Sequence, residues 1–129
     1  MTPELTILAY AALLQAVQFG LYSITANLQV GPKVAMGPRD EGVHLSGLAG
    51  RYQRAMNNHF EALILFTIAV VVVSLGQQST PFTTACARVY LAARLLYIPA
   101  YALGLSPWRS LIWFASFLAT MSMIVAALI

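Results

Sequence analysis

The chain is organised by four long apolar runs separated by short polar breaks. The first runs from about Leu5 to Val30, interrupted chiefly by Gln15, Gln18, Ser23, Thr25, Asn27 and Gln29, and is stopped by Gly31-Pro32. The second covers about 45–75, polar in its first half and nearly pure Ala, Leu, Ile, Val and Phe from Ala62 onward. After the uncharged break Gly76-Gln77-Gln78-Ser79-Thr80-Pro81, a third covers about 82–103, with Pro99 inside it, and after Gly104-Leu105-Ser106-Pro107 a fourth covers about 108–129. A bilayer core about 30 Å thick needs about 20 apolar residues per helical crossing. The pattern therefore predicts an all-α, integral-membrane four-helix bundle formed as a single domain over 1–129. A soluble bundle would need a strongly polar face on each helix, and the first and fourth runs have none.

Composition agrees with the pattern. Of 129 residues, 60% are hydrophobic and 9% charged, against roughly 25% charged in soluble domains. The start, Met1-Thr2-Pro3-Glu4, lacks a basic leader, so the first run reads as a retained helix. The second run is longer than a simple crossing and is expected to protrude at its polar end. Residues 31–44 form the longest and most polar connection, the natural lid or edge of a site.

The formal net charge is +3, but Lys33, Arg39, Arg51, Arg54, Arg88, Arg94 and Arg109 are scattered among hydrophobic runs, which argues against a nucleic-acid surface. Basic residues in the first and third connections, and none in the second, place those connections in the cytoplasm with both termini outside. The single Cys86 excludes an intramolecular disulfide, and His44 and His59 are not spaced as a metal pair. His59 is expected at an interface or among headgroups. Cys86, Met56, Met121 and Met123 read as packing residues, and Trp108 and Trp113 as an interfacial belt.

The polar residues inside the runs are ordered. Arg51, Arg54, Asn58 and Glu61 share a sector of roughly 80° on the second helix, and Tyr90, Arg94, Tyr97 and Tyr101 a sector of roughly 60° on the third. Arg88 points about 120° away from Arg94 and reads as a snorkelling residue. At 1.5 Å per residue, Glu61 and Arg94 lie roughly 24 Å and 16 Å from the helix ends at Leu45 and Leu105, so the two stripes can meet. Charges at mid-bilayer cost at least about 2.5–3.5 kcal/mol each, so they pair or line a wet cavity. One reading is a structural Glu61–Arg94 pair. The other follows from number: Arg51, Arg54, Arg94 and Arg109 exceed the one carboxylate and leave charge for an anionic ligand. Guanidinium groups bind carboxylates in paired hydrogen bonds, Asn58 suits a peptide amide, and Glu61 suits an ammonium group.

Two segments also resemble a known family. The run from Arg51 to Phe66 with Arg54, Asn58 and Glu61, followed by Arg94, Tyr97 and Tyr101 and by Arg109-Ser110, is similar to the MAPEG family, membrane-associated proteins in eicosanoid and glutathione metabolism. The chain departs from that pattern at Asn57, where some members carry a further arginine, and in lacking a proline before Phe66. The resemblance implies a homotrimer that binds glutathione as co-substrate between subunits near the cytoplasmic face, here in a bacterial-type member of an inner membrane. It implies that Arg51, Arg54, Asn58, Glu61, Arg94, Tyr101 and Ser110 hold glutathione, while Arg109 and Tyr97 act on its thiol. The expected function is a membrane-bound glutathione transferase or glutathione-dependent peroxidase acting on lipophilic electrophiles or hydroperoxides. The alternatives are a non-catalytic lipid- or glutathione-binding scaffold of the same fold, and a purely structural ion-pair network.

Overall fold

The computed structural model describes residues 1–31 and 45–129, so the connection expected to edge the site lies, from 32 to 44, outside the described residues. Four helices account for the described secondary structure: α1 Pro3–Val30, α2 Gly47–Leu75, α3 Pro81–Ala102 and α4 Ser106–Leu128. Each begins and ends within two residues of the corresponding apolar run.

Local chemistry fixes the helix ends. Thr2 caps α1, its hydroxyl accepting from the Leu5 amide at 3.2 Å with Pro3 following at the first turn, where a missing N–H is harmless. Gly31, at φ 87°, ends α1 in a backbone conformation that L side chains rarely adopt. Across the connection, Gln29 clips the two helices together: its amide donates to the Ser46 carbonyl at 2.9 Å and its carbonyl accepts from the Ser46 amide at 3.0 Å. At the opposite end, α3 starts in a reciprocal capping box, with the Thr83 amide on the Thr80 hydroxyl and the Thr80 amide on that of Thr83.

α2 and α3 form the centre. α1 packs on α2 and α3 and α4 packs on α3 and α2, while α1 and α4 lie on opposite sides and do not touch among the described residues. Small residues bring the helices close: Ala11, Ala69, Ala87 and Ala119 are buried together with Ile7, Val70, Val73 and Met123. Phe66 of α2 stacks on Tyr90 of α3 at 3.8 Å between ring centroids. Cys86 lies buried in this core.

α1, α2 and the stretch Pro107–Leu128 of α4 are long and apolar enough to cross a membrane, and the exposed surface of the bundle is rich in Leu, Ile, Val and Phe. α3 is the exception, because it carries Arg88, Arg94 and three tyrosines; Arg94, Tyr90 and Tyr97 are turned inward, whereas Arg88 is exposed.

One charge is built into the far end of the bundle. Glu4, fully buried in the first turn of α1, accepts from the hydroxyls of Ser79 at 2.8 Å, Thr83 at 2.8 Å and Thr84 at 2.9 Å. Its carboxylate thus lies against the amide ends of two helices, where negative charge is favoured. The Thr2 and Ser74 hydroxyls, 2.7 Å apart, close the same corner. Glu4→Ala, which leaves the buried Thr83 hydroxyl and the more accessible Ser79 and Thr84 hydroxyls without this acceptor, is expected to destabilise the protein by about 1–3 kcal/mol. Thermal unfolding in detergent checks this, and an unchanged midpoint would show that the clasp contributes nothing.

Candidate functional site

The end of the bundle opposite Glu4 gathers the polar stripes of α2 and α3 with the first turn of α4. Arg54 donates from Nε to the Tyr101 hydroxyl at 3.0 Å. Arg109 lies over the ring of the same tyrosine, its guanidinium carbon 4.7 Å from the centroid. Tyr101 therefore holds cations from α2 and α4 on one aromatic ring, and Tyr97 packs beside it at 5.6 Å. Such cation–π contacts are attractive but leave guanidinium N–H groups available. The structure brings Arg54, Asn58, Tyr97, Tyr101, Arg109 and Ser110 to one neighbourhood.

Arg51 is partly engaged elsewhere. Its Nη1 donates to the Ala102 carbonyl at 2.9 Å, in the last turn of α3, where a cation complements the helix C-terminus. The guanidinium also lies against Gly104, whose φ of 69° suits glycine. Arg51 thus fastens the α3–α4 turn that carries Arg109.

Two recesses adjoin this cluster. An open depression of ≈ 460 Å³, lined by Asn58, Tyr97, Arg109, Ser110, Trp113 and Phe114, falls in the size range of small-molecule sites. A narrower one of ≈ 190 Å³ continues from it past Asn58 and Trp113, between Glu61, Ala62 and Leu65 of α2 and Ser116, Phe117 and Thr120 of α4. Both recesses have mainly apolar walls with polar side chains set into them. Trp113 lines both and lies well inside α4 rather than at its end, so it is a pocket wall and not only the interfacial anchor expected from the sequence. Its spacing with Ser116, Phe117 and Thr120, one face of α4, was the available signal.

Glu61 and Arg94 are not paired. Glu61 is exposed on α2, whereas Arg94 is 1% exposed and none of its three guanidinium nitrogens has a hydrogen-bond partner among the described residues. Arg94 packs against the face of Tyr97, its guanidinium carbon 4.2 Å from the ring centroid. A cation–π contact contributes about 0.5–2 kcal/mol, while leaving a buried charge uncompensated costs about 3–5 kcal/mol. The contact does not offset the burial.

His59 also departs from expectation. It is fully buried and faces α1, where the Gln18 side-chain amide donates to its Nδ1 at 2.8 Å and Gln15 Oε1 lies 3.0 Å from the same nitrogen. The reason is helical phase: Ala55, His59, Phe66 and Val73, at spacings of four and seven, form the buried stripe of α2. Gln15 also donates to the Met56 carbonyl at 3.3 Å, so the glutamines of α1 hold α2 in rotation. That rotation directs Asn58 into the depression.

The sequence profile of the MAPEG family matches residues 7–129, nearly the whole chain, and the chain belongs to that family. No curated protein matches, and no solved structure matches.

Because Arg94 has no counter-charge among the described residues, Arg94→Met is expected to stabilise the ligand-free protein by about 1–3 kcal/mol, as when buried ions are replaced by apolar groups of similar volume. A higher unfolding temperature in detergent is the expected reading. A lower one would mean that the guanidinium holds the fold together.

Proposed function

We propose that this MAPEG-family protein is a membrane-bound glutathione transferase or glutathione-dependent peroxidase acting on lipophilic electrophiles or hydroperoxides. The observation that carries the proposal is the convergence of Arg54 and Arg109 on Tyr101, beside a depression that also receives Asn58, Tyr97 and Ser110. Glutathione has two carboxylates, peptide amides and one ammonium group, and the site offers a matching inventory. Arg54, Arg51 and Arg94 supply positive charge, Asn58 meets an amide, Glu61 receives the ammonium, and Tyr101 and Ser110 add hydroxyls. In this reading the protein works as a homotrimer in an inner membrane of bacterial type, with both termini outside and the site near the cytoplasmic face.

Arg109 and Tyr97 act on the thiol. A free thiol has a pKa of about 8.5, and an adjacent guanidinium favours the thiolate, which is the nucleophile. The sulfur then bonds to an electrophilic carbon as its leaving group departs, or takes the terminal oxygen of a hydroperoxide as the O–O bond breaks, giving an alcohol and a sulfenic acid that a second glutathione converts to the disulfide and water. The apolar stretch of wall in the slot beyond Asn58, formed by Ala62, Leu65 and Phe117, gives the lipophilic partner a place beside the thiol. That same slot supports a second reading, a non-catalytic protein that binds lipid or glutathione without thiol chemistry.

Purified protein is expected to bind glutathione and to show thiolate absorbance on doing so. Arg54→Ala and Glu61→Ala are each expected to weaken binding about 10-fold or more, the value of one charge-assisted hydrogen bond. Arg109→Ala is expected to retain the peptide and lose the thiolate signal. Binding that survives both Arg54→Ala and Glu61→Ala would exclude this assignment, and binding by the wild type with no thiolate would select the non-catalytic reading.

A further inference from the structure

We propose that Ser116 and Thr120 of α4, with the Tyr90 hydroxyl across the slot, recognise an O–H group on the lipophilic partner, so that the slot selects hydroperoxides over electrophiles that carry no O–H. The inference rests on reading the slot between α2 and α4 as the place of that partner. The residues that hold the peptide and its thiol take no part in it.

α4 carries no charge beyond Arg109, yet two of the residues that it turns toward the slot, one helical turn apart, are the hydroxyl residues Ser116 and Thr120, both buried. Their protons are already spent. Ser116 donates to the Trp113 carbonyl at 2.7 Å and Thr120 to the Ser116 carbonyl at 3.0 Å. A hydroxyl has one proton and two lone pairs, so toward any further group these oxygens can only accept. Such back-bonding is common for Ser and Thr in helices and would by itself be a local matter of α4.

Tyr90 is what makes it more. Its side chain lines the same slot from α3 and is fully buried, and its hydroxyl has no partner among the described residues, so its proton is free. The ring stacks on Phe66 at 3.8 Å, a contact that phenylalanine would make equally well. Packing therefore accounts for the ring and not for the oxygen, and burying a hydroxyl without a partner costs stability.

One donor and two acceptors thus border a recess of ≈ 190 Å³. An O–H group both donates and accepts, and a hydroperoxide satisfies the set. An epoxide, a carbonyl or an aryl halide can at most take the Tyr90 proton and brings nothing for Ser116 and Thr120. Buried polar groups left unpaired discriminate between substrates more sharply than a difference in apolar size does. Ala62, Leu65 and Phe117 meet the apolar remainder, and Asn58 and Trp113, shared with the depression, put the bound oxygen next to the peptide site.

The test is equilibrium dialysis of the full-length protein in detergent against protein-free micelles. The probes are cumyl alcohol, an unreactive stand-in for cumene hydroperoxide, and cumyl methyl ether, which keeps the oxygen and lacks the O–H. The wild type is expected to bind the alcohol about 10-fold more tightly than the ether, the value of a hydrogen bond to a buried group. Tyr90→Phe and Thr120→Val, both close in shape to the native side chains, are each expected to lose most of that preference by weakening the alcohol. Ether affinity at its wild-type value shows that the slot of each variant is intact. In turnover with glutathione, Tyr90→Phe is expected to raise the KM for cumene hydroperoxide by about the same factor. Equal wild-type affinities for the two probes, or a preference that survives both substitutions, would overturn the inference. A wild type that binds neither probe would overturn the reading of the slot as the lipophile's place, a result distinct from both.

Discussion

The guanidinium of Arg94, buried against the ring of Tyr97 and hydrogen-bonded to nothing among the described residues, is the constraint around which this end of the bundle is arranged. Lipid offers a charge no solvation, so an arginine on the least apolar of the four helices has to face inward. That requirement puts α3 at the centre of the bundle, between α1 and α4 and beside α2. It also brings Tyr97 and Tyr101, which share the face of Arg94, to the junction where Arg54 arrives from α2 and Arg109 from α4. The result is a cluster with more positive charge than its own carboxylates balance.

The opposite end treats a buried charge differently. Glu4 is as fully buried as Arg94, yet three hydroxyls from the α2–α3 turn and the start of α3 saturate it. One charge is held by three hydroxyls and joins two helix ends; the other has no hydrogen-bond partner among the described residues and sits behind a pocket wall. Stability explains the first and not the second. An uncompensated buried cation lowers stability, and no counter-charge for Arg94 lies among the described residues. The glutamine–histidine network between α1 and α2 serves the same end, since it sets the rotation that turns Asn58 into the depression.

Much of the fold was legible in the sequence because apolar run length and Gly-Pro breaks report helix ends directly, and helix phase reports which side chains share a face. Arg54 with Asn58, and Arg94 with Tyr97 and Tyr101, were visible for that reason. Phase on one helix does not state how that helix is rotated against its neighbours, and the misreadings follow from this. Glu61 and Arg94 agree in depth but not in direction, so they do not pair. His59 was read outward although its spacing from Ala55 and Phe66 places it on the buried stripe. Arg51 was assigned to ligand alone because nothing in its spacing reveals the Ala102 carbonyl that it also caps. Glu4 passed as an ordinary terminal residue, since its three hydroxyl donors lie some 75 to 80 positions away along the chain.

The central claim is that this polar end holds an anionic thiol peptide. The most direct measurement is an experimental structure of the protein in lipid or detergent with glutathione added. The account predicts density for a three-residue peptide in the depression bounded by Asn58, Tyr97 and Ser110, its sulfur beside Arg109 and a carboxylate within hydrogen-bonding distance of Arg54. Density for the peptide elsewhere, or a depression filled only by detergent or lipid at saturating glutathione, would contradict it.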